Sequence, residues 1–412
     1  MSNIIKVPWA AWREPSFLDL KFPASWDVVA CRMKGAQHEE LSDEGIKSSI
    51  LNPIGTPKLS QIAKEIENIV IVIDDMTRTT QISRIFPHVL SELEKADIYK
   101  DQITIITAIG AHRPMNRQDF ILKLGKENVN TIRIENHHPY ENLTYIGDSS
   151  KGTPIDVNST YLKADLKIAI GGVIPHALAG FGGGAKIVLP GVCGIRTLEA
   201  SHSAGMRGIG AGIGRMTDIR RDIEEVAKKV GLDFSINAIL NEEGKIAKLF
   251  SGHFIEAHRK AMDFANQFYS TKVTLDNQIC FFNSFPEDSE LNQAQYKAFN
   301  LLMTAPNNML ERRGAIVIMT SSYEGRGYHS LLAETGSKLY KNLIESILWK
   351  AFAKKRKFYL FSPNINEFDK NHFFPESVEL FNKWGRLIEN LEKLYGNSPK
   401  VAVFPTSIQL VG

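Results

Sequence analysis

Residues 69 to 73 read IVIVI, five β-branched residues in a row, with two acids, Asp74 and Asp75, directly behind them. A run this short, and apolar at both alternating sets of positions, suits a strand covered on both faces. It is far below the roughly 20 residues of a membrane span. The pattern recurs in QITIITAIG (Gln102 to Gly110), TIRIEN (Thr131 to Asn136) and LKIAIGG (Leu166 to Gly172). Between the first two runs, SRIFPHVLSELEKA has helical spacing. Strand, helical crossover, strand predicts an α/β fold with a mainly parallel sheet.

A chain of 412 residues exceeds one ordinary core, so two domains are expected. Ile219, Ile223, Val226, Ala227 and Val230 predict a further helix that Gly231 stops, and FIEAHRKAMDFANQFY predicts another. The pattern then resets near Thr271 to Gln278. QICFFNS, GAIVIMTSS, KFYLFS and KVAVFP follow as strands, with LNQAQYKAFNLL as a helix. The expected organisation is therefore two α/β domains. Residues 1–272 would form an N-terminal domain and 277–412 a smaller C-terminal one.

With 49 basic and 46 acidic residues the formal charge is +3, which gives no footprint for nucleic acid. Cys31, Cys193 and Cys280 are far apart and form no CxxC, so they read as reduced thiols. MSNIIKVPWAAWREP lacks the apolar core of a signal peptide, and the chain reads as cytoplasmic with no membrane partner.

The unusual residues fall behind the strands: DDMTRTT after the first, AIGAHRP after the second, GGVIPHALAGFGGGAK after the fourth. Ligands in open α/β sheets bind at the carboxyl ends of strands, so three such segments predict one site. The glycine run is not a P-loop. Ala185 and Ile187 flank Lys186, leaving neither the glycine nor the hydroxyl that motif requires. Gly180, Gly182 and Ala185 match a dinucleotide fingerprint only loosely. His112, His176 and His202 stand in or beside these segments and offer imidazoles for metal ligation or proton exchange near neutral pH. In DDMTRTT, Arg78 can hold a carboxylate or phosphate, while Asp75 or Thr77 can equally serve as an ordinary cap.

Taken together, DDMTRTT, AIGAHRP, PHALAGFGGGAKIVLPG and the following SH resemble the lactate racemase family, in the family's order and near its spacing. The resemblance implies an isomerase that racemises or epimerises a 2-hydroxy acid with a nickel-pincer nucleotide, a pyridinium mononucleotide whose two thio-acid arms hold nickel. It implies that Lys186 tethers this cofactor and that His202 ligates nickel. Asp75, Met76, Thr77 and Arg78 would contact the nucleotide, with Arg78 also near substrate, and His112 and His176 would be a pair of acid–base residues. It implies further that 1–272 is the cofactor-binding and catalytic domain, that 277–412 closes over substrate with the site in the cleft between them, and that cofactor-building enzymes are partners. An oligomer is compatible with the sequence.

The second domain departs from the family. Where characterised members carry Tyr-Gln-x-x-Lys, this chain has Asn292, Gln293 and Tyr296, with Lys297 adjacent. Gln293 and Lys297 share a helix face at i,i+4, so Lys297 offers the missing cation or is simply solvated. SSYEGRG, Ser321 to Gly327, is a further candidate lining. The substrate is therefore open beyond lactate. The alternatives are a sugar-acid epimerase using the same cofactor, or a non-catalytic nucleotide- or cofactor-binding protein.

Overall fold

The computed structural model describes residues 3–205, 213–331 and 356–411. The chain divides into two units: Gln37–Gln267, and a second made of the residues up to Ala36 together with those from Phe268 onward.

The Gln37–Gln267 unit is built on a six-stranded sheet in the order Ile246–Gly252, Phe234–Leu240, Leu166–Gly172, Ile69–Ile73, Ile103–Thr107, Arg133–Asn136. Every pairing is parallel except that between the first two strands. All five residues of Ile69–Ile73 are buried, as expected for a strand covered on both faces. The helix Ile82–Glu94 makes the crossover to Ile103–Thr107, and the helix Asp218–Val230 ends where Gly231 takes φ +83°. The four runs read from sequence are the four central and right-hand strands. The edge pair Phe234–Leu240 and Ile246–Gly252 was not anticipated. From Ile69–Ile73 the chain first builds outward in one direction, then returns to add Leu166–Gly172 on the other side. The topological switch point therefore lies between Ile69–Ile73 and Leu166–Gly172, where such sheets place ligands.

The other unit repeats the plan with an all-parallel sheet: Glu379–Phe381, Lys357–Phe361, Leu310–Met319, Asn277–Asn283, Lys400–Phe404, Asp27–Ala30. Its strands alternate between two cores. Cys280, Phe282, Ile316 and Ile318 enter one, and Phe281, Ala315, Val317 and Val401 enter the other, which is the period-two expectation.

The expected domain of 1–272 needs correction at its start. Asp27–Ala30 is a four-residue strand that pairs with Lys400–Phe404, so the first 36 residues fold with the later unit. A strand that short carries little periodicity, and its partner lies at the far end of the chain. The division between the units falls between Gln267 and Phe268.

Candidate active site

The three glycine-rich or polar segments meet at the carboxyl ends of the Gln37–Gln267 sheet. Asp74 Oδ2 accepts hydrogen bonds from Gly172 N at 2.9 Å and from Thr80 Oγ1 at 2.6 Å, closing the switch point. Gly110 N donates to Gly191 O at 3.0 Å, joining the second strand end to the segment after the glycine run. Asp75 Oδ2 lies 2.6 Å from His112 Nδ1, joining the first strand end to the second.

Asp75 is buried, and its other oxygen accepts from Thr77 N at 3.0 Å and Thr77 Oγ1 at 2.5 Å. Burial acts to raise its carboxyl, but the charge and hydrogen bond of His112 outweigh it, with Arg78 and Thr77 adding to them. The group is held well below the usual carboxylate range. It is therefore ionised and can only accept, which fixes the hydrogen on His112 Nδ1 and leaves Nε2 as the basic nitrogen of the neutral ring. Met76 is buried in the same loop, and Arg78 is half-buried, its Nη1 donating to Thr77 O at 3.1 Å and Thr77 Oγ1 at 2.9 Å. Thr79 Oγ1 is buried with no hydrogen-bond partner among the described residues.

A lysine that sequence reading missed holds this loop from beneath. Lys123 is fully buried on the helix Arg117–Leu124. Its Nζ donates to Asp75 O at 2.8 Å and Arg78 O at 2.7 Å, and pairs with Asp74 Oδ1 at 2.7 Å. Burial lowers its pKa against the opposing charges of Asp74 and Asp75.

The glycine run is held by side chains from three other elements. Buried Arg220, on the helix Asp218–Val230, donates to the carbonyls of Ala179 (3.2 Å), Gly183 (3.3 Å) and Phe181. His258 Nε2 bonds Gly182 O at 2.8 Å, and Asn237 Oδ1 accepts from Gly184 N at 2.9 Å. Gly183 (φ +70°) and Gly184 (φ +54°) adopt the left-handed region. A Cβ on Gly184 would stand 2.8 Å from the His258 ring, so this approach requires glycine. Burial, with the charge of Arg220, keeps His258 well below its ordinary pKa and neutral. Its bond to Gly182 O braces the loop. From Ala179 to Leu189 only Lys186 is not buried. The loop thus presents one side chain.

His202 is half-buried on the helix Ile195–Gly205, and its Nδ1 lies 2.8 Å from Leu198 O. A carbonyl can only accept, so Nδ1 carries the hydrogen and Nε2 the lone pair. Burial, together with the charges of Lys186 and His112, pushes its pKa down to about 4 against the Leu198 bond. These three groups therefore share one electrostatic neighbourhood, and His202 is a neutral imidazole at physiological pH. His176 stands on the two-residue strand Pro175–His176, which pairs with Gly180–Phe181. Its Nδ1 accepts from the amides of Leu178 and Ala179, each at 3.2 Å. Among the described residues no group of three or more His, Cys, Asp or Glu side chains is placed to hold a metal ion.

The remaining candidates belong to the other unit. On the helix Leu291–Thr304, Asn292, Gln293 and Lys297 are all buried, and Lys297 pairs with buried Glu287. The solvated alternative for Lys297 is thereby removed. The side chain of Tyr296 lies outside the described residues. Ser321 and Ser322 are buried behind the strand Leu310–Met319, and the segment from Tyr323 to Gly327 is half-buried. The three cysteines are buried and unbridged. No helix among the described residues is long and apolar enough to cross a membrane.

Comparison with known proteins places this arrangement. The lactate racemase N-terminal domain matches residues 14–214. The lactate racemase of Lactiplantibacillus plantarum is 32% identical over 306 residues, covering 71% of this chain and 70% of that protein. The lactate racemase of Thermoanaerobacterium thermosaccharolyticum is 28% identical over 404 residues, 92% of each. The apoprotein structure of a lactate racemase from T. thermosaccharolyticum has the same fold, with a TM-score of 0.77 over 100% of both chains at 24% identity. A Thermotoga maritima protein structure aligns with a TM-score of 0.67 at 17% identity, over 91% of this chain and 99% of that one. With a parallel sheet carrying DDMTRTT, GAHRP and GFGGGAK at its strand ends, and relatives of this kind over most of its length, the chain belongs to the lactate racemase family and is an isomerase of the racemase type.

Proposed function

We propose that the protein racemises or epimerises a 2-hydroxy acid at the carboxyl ends of the Gln37–Gln267 sheet. The observation that carries this reading is the convergence of an Asp75-oriented His112 with Lys186 and His202 in one electrostatic neighbourhood. His112 Nε2 would take the proton of the substrate hydroxyl, and Asp75 would stabilise the imidazolium that forms. A positioned base of this kind is worth about 10²–10⁴ in rate. Arg78 would hold the substrate carboxylate, a planar match for its guanidinium.

The implied cofactor, a nickel-pincer nucleotide tethered at Lys186, fits the residues present. A metal carried by an organic group needs few protein ligands, and His202 offers one neutral imidazole whose Nδ1 hydrogen is already fixed by Leu198. Lys186 is the one residue of its loop that is not buried, and Thr79 Oγ1, in the loop that would face the nucleotide, is a buried hydroxyl without a partner among the described residues. Asp75, Met76, Thr77 and Arg78 would line it. When bound, such a group would supply a reversible acceptor for the hydrogen leaving C2 as hydride, which avoids a very unstable carbanion. In the other unit, the charge of Lys297 is balanced by Glu287.

The test is intact mass and nickel content of protein made alongside the cofactor-building enzymes, with Lys186→Ala in parallel. Bound nickel and an adduct in the wild type, absent from the variant, support the reading and lead to a racemisation screen over lactate, larger 2-hydroxy acids and sugar acids. Neither nickel nor adduct under proven loading conditions would overturn it.

A further inference from the structure

Three consecutive carbonyls of the glycine run are taken up alternately by two helices. Phe181 O and Gly183 O accept from Arg220, on Asp218–Val230. Between them Gly182 O bonds His258 Nε2, on Glu256–Phe268, at 2.8 Å. Gly183 O, held at 3.3 Å by Arg220 Nη1, also accepts from Lys186 N at 3.1 Å. That second bond closes the short 3₁₀ turn Gly184–Ile187 on which Lys186 stands. A single carbonyl oxygen thus separates the Arg220 guanidinium from the backbone of Lys186.

The two helices are themselves tied. Arg259 Nη1 and Nη2 donate to Glu224 Oε1 and Oε2, both at 2.6 Å. Thr217 caps Asp218–Val230, its Oγ1 accepting from Arg220 N at 3.0 Å, and Asp222 Oδ2 accepts from Thr153 Oγ1 at 2.8 Å. Arg220 is fully buried in that first turn. Burial lowers its pKa to about 10 against the charge of Glu224, with Arg259 adding to the lowering, so it remains a cation at neutral pH. Converging carbonyl oxygens repel one another, and buried without donors they would each carry a desolvation cost. A guanidinium answers several at once because its five N–H groups form a fixed planar fork, whereas an ammonium is a point charge.

We propose that Arg220 is the positioning residue for Lys186, setting the shape of the glycine run before any cofactor is present, so that the lysine is offered for tethering by a loop already formed. This rests on the reading of Lys186 as the tether for its functional meaning, while the dependence of the loop on Arg220 stands on the hydrogen bonds. Arg220 acts through the Gly183 carbonyl and needs no contact of its own with substrate or cofactor. Its partner His258 fills the gap between the two carbonyls that the guanidinium takes.

The first test needs no variant. In unloaded wild-type protein, hydrogen exchange read by peptide mass spectrometry should show the peptide 180–188 protected by about tenfold or more over an unstructured peptide. A loop that exchanges freely before loading overturns the proposal. Arg220→Ala should lose that protection by about tenfold or more while the strand Ile69–Ile73 keeps its own. Its nickel content after loading in vitro with the cofactor-building enzymes should fall below about one-tenth of wild type. Low millimolar guanidinium, far below denaturing levels, should restore both, and sodium at equal ionic strength should restore neither. Arg220→Lys, which keeps the charge but not the fork, should fold by circular dichroism and still load below about one-third of wild type. Normal loading by Arg220→Lys or by folded Arg220→Ala, or a loss in the latter that guanidinium leaves untouched, overturns the proposal. Wild-type protein that takes up no nickel would remove the tether reading, while the exchange data would still decide whether Arg220 shapes the loop.

Discussion

Two buried aspartates follow the central strands of the two sheets, and they live opposite lives. Asp75, behind Ile69–Ile73, faces an imidazole, and Asp288, behind Asn277–Asn283, faces only backbone amides, accepting from Ala10 N at 2.8 Å and Ala11 N at 3.0 Å. Burial dominates at Asp288 and, opposed by the backbone groups of Ala11, Ala10, Asp288 itself and Ser321, pushes its carboxyl up to about 6. At Asp75 burial is outweighed by His112 and Arg78. A buried carboxylate behind a parallel strand thus serves in one unit to answer a changing charge and in the other to tie down a neighbouring turn. The partner decides the use, and the topology does not.

The contrast can be broken most severely at Asp75. Asp75→Asn keeps the shape but offers His112 Nδ1 a donor, turning the ring to the tautomer without a basic Nε2. Racemisation by loaded protein should fall by about 10³-fold or more while circular dichroism stays native. A loss below tenfold would mean that Asp75 does not orient the base. Lys123→Met comes next. It leaves the Asp74 carboxylate and two loop carbonyls buried without their cation, and urea unfolding should show a loss of about 3–4 kcal/mol. A variant as stable as wild type would show that the loop does not depend on the cation beneath it.

The smallest effect is the one that separates the two acids by sign. A carboxyl with a raised folded pKa binds its proton more tightly folded than unfolded, so its contribution to stability grows as pH falls through about 6. Comparing unfolding at pH 7 and pH 5, wild type should gain about 1 kcal/mol relative to Asp288→Asn. Asp75, held low, contributes stability that is present above the ordinary carboxylate range and lost only in stronger acid. A wild-type protein that weakens between pH 7 and 5 as much as Asp288→Asn does would place Asp288 in a more solvated setting.

What the sequence disclosed and what it withheld divide along physical lines. Strands such as Ile69–Ile73 and Leu166–Gly172 were legible because burial on both faces writes a continuous apolar run. Their polar ends were legible because a sheet of this class collects ligands there. Asp27–Ala30 was not legible, since its pairing is non-local. Lys123 and Arg220 were missed because a cation within a helical pattern reads as a solvated face. For Arg220 a signal existed: it stands at i−3 and i−7 to Ile223 and Ala227, on the apolar stripe. Nothing comparable marked the opposite hydrogen-bond senses of His112 and His176, which depend on groups that folding brings to each ring.

The pairing of Asp27–Ala30 with Lys400–Phe404 also dictates an order of assembly on the ribosome. Gln37–Gln267 is a segment inserted into another unit's sequence, and the flanks of that insertion are adjacent: Gly35 N donates to Phe268 O at 2.9 Å, and Lys34 N to Ser270 O at 2.9 Å. During synthesis the inserted unit has all its strands available first, while the early strand waits unpaired for the last one to emerge. Because its two ends are brought together by those flanking bonds, the insert is also a natural piece to excise, close into a shorter chain and produce alone.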